Sequence, residues 1–279
     1  MPQVGFREHP SAALEYWFFK VNAGPIALIV DWIERRRRGD HVLRVSVHSP
    51  YKREVLFDEL PSWMPGENFM TTERCAGHAG EVSWDLTIDV VGEPVMPDIF
   101  PAGLLKVPDL ATYGWPLATF TGWIRHGPEH VALTAVPGSI TQYWGRRLAT
   151  EWWWVSAHQF DRGDTALEGT VLRSRVWGTP VRVPLAYFFV SQEGKAEFIV
   201  TPPGSVRVEG TPEEFRVDIR RRHREVLTLL CAGREYGDFG DGIVNTLVGD
   251  MEVREGDRVL ARATGTAGLE RRSPNAEQH

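Results

Sequence analysis

Cysteine is nearly absent from this 279-residue chain: Cys75 and Cys231 are the only two, far apart and in no metal-ligand or redox spacing. That excludes a disulfide framework or a thiolate metal site and leaves two reduced, inert thiols. No apolar run approaches the roughly 18 residues of a membrane helix. The start, MPQVGFREHPSAALEYW, lacks the basic stretch and apolar stretch of a leader. No integral membrane segment is therefore expected, and a cytoplasmic setting is. A basic excess is missing too, since 31 Lys and Arg face 37 Asp and Glu for a net charge of −6, so a nucleic-acid partner is not expected. The arginine clusters 35–38 and 220–222 are short; the first runs into Gly39-Asp40, a hairpin-turn signal, and the second sits in alternating strand sequence. GxSxG, P-loop and Rossmann fingerprints are absent, which leaves serine-hydrolase and nucleotide readings without support.

Helical periodicity is also scarce; only residues 241–249 suggest one short helical turn. What replaces it is strand alternation. In EVSWDLTIDVVG, Trp84, Leu86, Ile88 and Val90 alternate with Ser83, Asp85, Thr87 and Asp89. GPIALIVDWIE is apolar on both faces, and HVLRVSVHS settles into Leu43, Val45 and Val47 against Arg44, Ser46 and His48. Further strands are expected at 117–125, 130–136, 139–144, 152–160, 166–176, 182–191, 195–201, 205–209, 214–220, 225–232 and 250–268. Prolines between 94 and 116 mark a long ordered loop. Many short strands with closely spaced turn signals give an all-β class, a sandwich or barrel. The length suits two domains or one large all-β domain.

Tryptophan is abundant, 11 residues beside 6 tyrosines. The segment EWWWVSAHQFD (151–161) places three in a row. Indole is too bulky for a narrow core gap and its N–H needs a partner when buried, so the run suggests a wide cavity as much as a packed core. On a strand, Trp152, Trp154, Ser156, His158 and Phe160 share one face, and Trp153, Val155, Ala157 and Gln159 the other.

Two stretches carry a resemblance. EYWFFK (15–20) resembles a Glu-x-Trp-aromatic-Phe-Lys opening strand, and GSITQYWGRRLATEWWWVSAHQFD (138–161) resembles a Trp-Gly strand end, short spacer, aromatic strand and terminal Phe. Their order and separation are similar to the tocopherol cyclase/carotenoid 1,2-hydratase superfamily. That resemblance implies two lipocalin-like β-barrel or sandwich domains (1–150 and 151–279) packed together, with a ligand pocket lined by aromatics. Tocopherol cyclases carry Glu and Asn in the strand before Trp-Gly, where this chain has Thr141 and Tyr143. They show Gln and Asn later, where Ser156 and His158 stand. The resemblance therefore implies fold and pocket rather than one reaction, and the superfamily includes hydratases and natural-product cyclases of the Diels–Alder type.

Among candidate residues, Asp31 lies in IALIVDWIE beside Ala27, Ile29 and Ile33. Apolar surroundings would raise its pKa and suit a general acid; alternatively, it accepts a hydrogen bond from Arg44. His158 ends the tryptophan strand, able to orient a carbonyl or shuttle a proton, or only to bond a loop carbonyl. His48 is a similar, weaker candidate. Glu15 shares a strand face with Trp17 and Phe19, whereas Lys20 lies on the other; a structural salt link is the alternative for both. His126-Gly-Pro-Glu-His130 imitates an H-x₃-H metal spacing, but Gly-Pro makes it a hairpin tip, and GDFGDG (237–242) reads as an acidic turn. The reading that follows is a cofactor-free cyclase or isomerase for a hydrophobic, unsaturated small molecule. Trp17, Phe19, Trp144, Trp152 and Trp154 would shape its pocket with Glu15 and His48, while His158, Asp31 and Tyr143 act on the substrate. A hydratase using Asp31 as acid, and a lipophilic-ligand carrier, are the alternatives. Composition sets no oligomeric state.

Overall fold

The structure, a computed structural model, describes residues 9–64, 66–92, 94, 110–145, 149, 151–163, 165–175, 182–192, 195–201, 204–221, 224–240 and 242–273. Every regular element among them is a β-strand. The first nine are β1 (Leu14–Ala23), β2 (Ile26–Arg35), β3 (Asp40–His48), β4 (Arg53–Leu60), β5 (Phe69–Met70), β6 (Arg74–Ala79), β7 (Val82–Val90), β8 (Leu110–His126) and β9 (Glu129–Gly145). The rest are β10 (Glu151–Ala157), β11 (Ala166–Arg175), β12 (Arg182–Gln192), β13 (Lys195–Thr201), β14 (Val206–Gly210), β15 (Glu214–Ile219), β16 (Leu227–Ala232), β17 (Gly237–Asp238), β18 (Ile243–Glu255) and β19 (Arg258–Arg272). Among the described residues no helix is long and apolar enough to cross a membrane.

Two curled antiparallel sheets result. The first runs β4-β3-β2-β1-β9-β8-β7-β6-β5; the second runs β13-β12-β11-β10-β19-β18-β16-β15-β14, with β17 on β18. Edge strand β4 of the first sheet curls back toward the hairpin of β6 and β7, where Lys52 Nζ lies 2.8 Å from Glu81 Oε2.

Alternation decides what fills each interior. In the first sheet Trp17, Phe19 and Val21 of β1 share a face with Leu28, Val30 and Trp32 of β2, Leu43, Val45 and Val47 of β3, and Ile140 of β9. Phe19 packs against Trp32, Trp84 and Phe120 with ring centroids 5.7–6.2 Å apart. Fully burying each such ring is worth about 1.5–3 kcal/mol. The second interior gathers Trp153, Val155, Ala157, Leu167, Phe188, Phe215, Leu229, Met251 and Leu269. Phe215 lies 4.6 Å from the Trp153 ring, and the Arg271 guanidinium 4.5 Å from it on a cation–π contact.

Several expectations change. Residues from Ile243 onward form β18 rather than a helical turn, because Ile243, Asn245 and Leu247 are buried in a ladder with β19. Of the loop expected at 94–116, residues 110–116 belong to β8, and 95–109 lie outside the described residues. The strands 130–136 and 139–144 are one strand, β9. Strand β10 ends at Ala157, so Phe160 joins the interior with Trp153 instead of sharing a face with Trp152.

One glycine is demanded by close approach and backbone conformation together. Gly122 stands at an irregularity in the β8–β9 register with φ +142°, and a Cβ there would sit 2.1 Å from the Asp85 carbonyl oxygen. Gly122→Ala should therefore lower unfolding free energy by roughly 1–3 kcal/mol, read from urea denaturation, because backbone cannot yield as a side-chain tip would.

Candidate functional site

The strands at the centre of the first sheet are buried on their second face as well as on the interior one. On β1 that face carries Tyr16, Phe18, Lys20 and Asn22; on β2, Ala27, Ile29, Asp31 and Ile33; on β3, Arg44, Ser46 and His48; on β9, Ser139, Thr141 and Tyr143. All of these are buried except Tyr16, Ile33, Arg44 and His48, which are half-buried. The mixture is unusual for a second sheet face, with aromatic rings set beside ionisable groups.

Asp31 and Arg44 are directly opposite each other on β2 and β3, and Arg44 Nε donates to Asp31 Oδ2 at 3.0 Å. The Arg44 alternative for Asp31 is thus what the geometry presents. Burial nonetheless dominates and raises the Asp31 carboxyl above its usual range, opposed by the Arg44 charge and hydrogen bond. Lys20, 1% exposed, donates from Nζ to Asn22 Oδ1 at 2.7 Å. Opposite Lys20, the Ser139 hydroxyl is fully buried and has no hydrogen-bond partner among the described residues. Phe18 stacks on Tyr143 with centroids 5.8 Å apart, and Tyr16 tilts against the same ring. Asp31, Tyr143 and His48, three of the residues singled out from the sequence, share this face. Lys20 and Ser139 complete it; Ser139 had no signal, because a lone serine beside Gly138 looks like turn chemistry.

Glu15, Trp17, Phe19 and Trp144 occupy the interior face. Trp17 and Phe19 pack within the aromatic core. Glu15, fully buried, accepts from Trp17 Nε1 at 3.0 Å, Gln142 Nε2 at 2.6 Å, the His9 N–H at 3.0 Å and Arg36 Nη2 at 3.2 Å. Trp144 stacks on the His9 ring at 3.9 Å, and Arg36 also donates to the His9 and Ala12 carbonyls. The group clamps residues 9–13 to the end of the first sheet. Burial opposes the Glu15 charge, but the hydrogen bonds from the His9 backbone, Trp17, Gln142 and the His9 ring outweigh it and hold its pKa below the ordinary value.

In the second sheet Trp152, Trp154 and Ser156 of β10 face away from the interior, alongside Glu168 and Thr170 of β11 and Glu270 of β19. Glu270 accepts from Trp152 Nε1 at 2.7 Å and from Asn245 Nδ2 at 3.0 Å. Arg272 sits over the Trp152 ring at 5.3 Å and donates to the Ala149 carbonyl. Trp154 and His158 are buried nearby in sequence, and the Ser156 hydroxyl is buried with no partner among the described residues. Glu270 and Arg272, inside GLERR, gave no sequence signal because adjacent charges near a terminus read as solvated.

An open concavity of about 540 Å³ on the second sheet holds none of these candidates. Its lining mixes Arg216, Glu252 and Arg262 with Phe215, Leu230 and Met251; Arg262 pairs with Glu252 inside it, and Arg216 with Asp218 outside it. Among the described residues no group of three or more His, Cys, Asp or Glu side chains is arranged to hold a metal ion.

No family model and no curated protein matches the chain. Solved structures do. The crystal structure of a protein assigned as AttH from Nitrosomonas europaea aligns with TM-score 0.64 at 12% identity, over 98% of each chain. Kievitone hydratase from Nectria haematococca aligns with TM-score 0.64 at 11% identity, over 93% of this chain and 88% of that one. CghA crystallised with Sch210972 aligns with TM-score 0.66 at 14% identity, over 96% and 90%. The chain shares their fold. At these identities the likeness concerns the fold alone, and it is the lipocalin-like, two-sheet architecture that the two quoted motifs implied.

Two outcomes follow from the buried carboxylates. Arg44→Leu should destabilise the protein by about 3–5 kcal/mol by stranding the Asp31 charge, and adding Asp31→Asn should recover much of that loss in denaturant titrations. Glu15 works in the opposite sense to Asp31. Its folded pKa lies below the ordinary 4.5, so its contribution is present above pH 4.5 and is lost as pH falls through the folded value. Glu15→Gln should flatten the stability–pH curve below 4.5 while leaving its neutral arm parallel to wild type.

Proposed function

We propose that the chain is an enzyme acting on a hydrophobic, unsaturated small molecule, held against the second face of the first sheet, and that it cyclises or isomerises it without a cofactor. The observation that carries this is a buried sheet face on which stacked Phe18 and Tyr143 lie beside Asp31–Arg44, Lys20–Asn22 and a Ser139 hydroxyl without a partner among the described residues. Aromatic walls fold a flexible chain into a near-attack shape, which removes part of the entropic barrier. Fixed donors such as Tyr143, Arg44 and Ser139 then meet developing charge on a carbonyl in surroundings that need little reorganisation. His48 lies at the margin of the same face. The candidates Trp152 and Trp154 belong to the outward face of the second sheet, where Glu270 fixes one indole, and His158 is buried just beyond the end of β10. The fold hosts a hydratase in one relative and a ligand, Sch210972, in another, which supports a small-molecule substrate without choosing the reaction. A two-domain division at 150/151, with a tocopherol-cyclase-like ancestry, belongs to the same proposal.

One observation favours a second reading. A buried carboxyl with a raised pKa suits protonation of an alkene, so Asp31 is a fitting acid for hydration. Native mass spectrometry with tryptophan fluorescence against polyenes, terpenoids and polyketide-type lactones, then product analysis, separates the readings. Cyclisation or isomerisation leaves product mass unchanged and survives Asp31→Asn with less than about a tenfold loss. Hydration adds the mass of water and loses about 10²-fold or more in that variant, the usual scale of general acid catalysis. Tight binding of an unaltered ligand would replace both with a carrier.

A further inference from the structure

The turn that ends β3 and the hairpin tip between β8 and β9 bring together side chains that the candidate face does not use. His126, the last residue of β8, is fully buried. Its Nδ1 lies 2.8 Å from Ser49 Oγ and its Nε2 lies 2.8 Å from Glu54 Oε1. These three residues meet because β4 curls back toward the β6–β7 hairpin and the end of β8. Lys52 Nζ bridges Glu54 Oε2 at 2.9 Å and Glu81 Oε2 at 2.8 Å, while Tyr51 OH donates to Glu81 at 3.1 Å. The Tyr51 ring meets the imidazole edge-on, 5.3 Å between centroids. The expected hairpin tip is present, but its histidine is buried in a polar chain rather than left in solvent.

The donor and acceptor roles follow from chemistry. A carboxylate only accepts, so in the neutral imidazole Nε2 carries its proton toward Glu54 and Nδ1 is the acceptor facing the Ser49 hydroxyl. The Tyr51 N–H donates to Ser49 Oγ at 3.2 Å, and the competing acceptor for the hydroxyl, the Lys52 carbonyl, is farther away at 3.3 Å. Nucleophile, base and orienting acid thus stand in hydrogen-bond sequence, a constellation recognised by geometry and roles rather than by a GxSxG motif.

We propose that Ser49, His126 and Glu54 form a nucleophilic serine centre that hydrolyses small, unhindered carboxylic esters. Ser49 is 6% exposed and its neighbour Tyr51 42% exposed, so the hydroxyl lies just beneath a solvent-facing turn that only a slim acyl group reaches. The Ser49 Oγ–acyl carbon bond forms as the ester C–O bond to the alcohol breaks. The serine proton passes to His126 Nδ1 and then to the departing alkoxide. Water repeats the sequence, its proton crossing through His126 to Ser49 Oγ as the carboxylic acid leaves.

The test is incubation of the full chain with an alkyl fluorophosphonate, read by intact mass and peptide mapping, alongside hydrolysis of p-nitrophenyl acetate. One phosphonyl adduct on Ser49 is expected, absent in Ser49→Ala together with the esterase activity. His126→Gln should slow labelling on the order of 10²-fold, the usual scale for a general base. Glu54→Gln, nearly isosteric and half-buried, should slow it with circular dichroism unchanged. No adduct on Ser49 of the unmodified chain, under conditions that label a serine hydrolase, overturns the proposal. Labelling of Glu54→Gln at the unmodified rate does the same.

Discussion

Burial on both faces of a strand is the constraint from which the rest of the first sheet follows. Strands β1 and β2 have almost no residue open to solvent, so their polar side chains cannot satisfy themselves with water. An ionised group left unpaired in such a place costs several kcal/mol. The chain meets this by sorting its residues by parity. One parity supplies Trp17, Phe19, Val30 and Trp32 to a mostly apolar interior, where the Trp17 N–H is met by Glu15 and the Trp32 N–H by the Asn68 carbonyl. The other supplies Asp31 opposite Arg44 and Lys20 two residues from Asn22, spacings that bring charge and counter-charge, or cation and amide, into reach. The chemistry of the candidate face is the residue of that sorting.

The same device secures the sheet ends. Glu15 is a buried carboxylate that accepts an indole N–H from Trp17 and an amide N–H from Gln142; Glu270 accepts the same two kinds of donor from Trp152 and Asn245. Each indole is thereby both packed and hydrogen-bonded, which is what its dual character requires. In the first sheet the clamp extends through Arg36 to the carbonyls of His9 and Ala12. One residue of a basic cluster that reads as a solvated turn thus closes the strand end.

How far the sequence disclosed this depends on the kind of signal each residue carries. β2, β3 and β7 were visible because alternation and apolar runs report burial directly, and the all-β class rests on them. β4 escaped because an edge strand is half-exposed and carries no clear alternation; REVLFDEL looks equally like a loop. The interior role of Trp17 and the outward one of Trp152 depend on strand parity relative to the core, which periodicity alone does not assign. Asp31 was identifiable because a charge inside an apolar run is anomalous by itself. Glu270 and the Ser49–His126–Glu54 chain were not, since each depends on a partner 72 to 118 residues away that only the folded sheets bring close.

The central claim is that ligand lies against the second face of the first sheet and not within its aromatic interior. Photo-crosslinking with a diazirine-bearing polyene chosen from the binding panel, resolved to single residues by tandem mass spectrometry, tests it most directly. The account predicts adducts on Phe18, Lys20, Ser139 and Tyr143, suppressed by unlabelled ligand. Adducts on Trp32, Trp84 and Phe120 instead would place the ligand inside the barrel and contradict it.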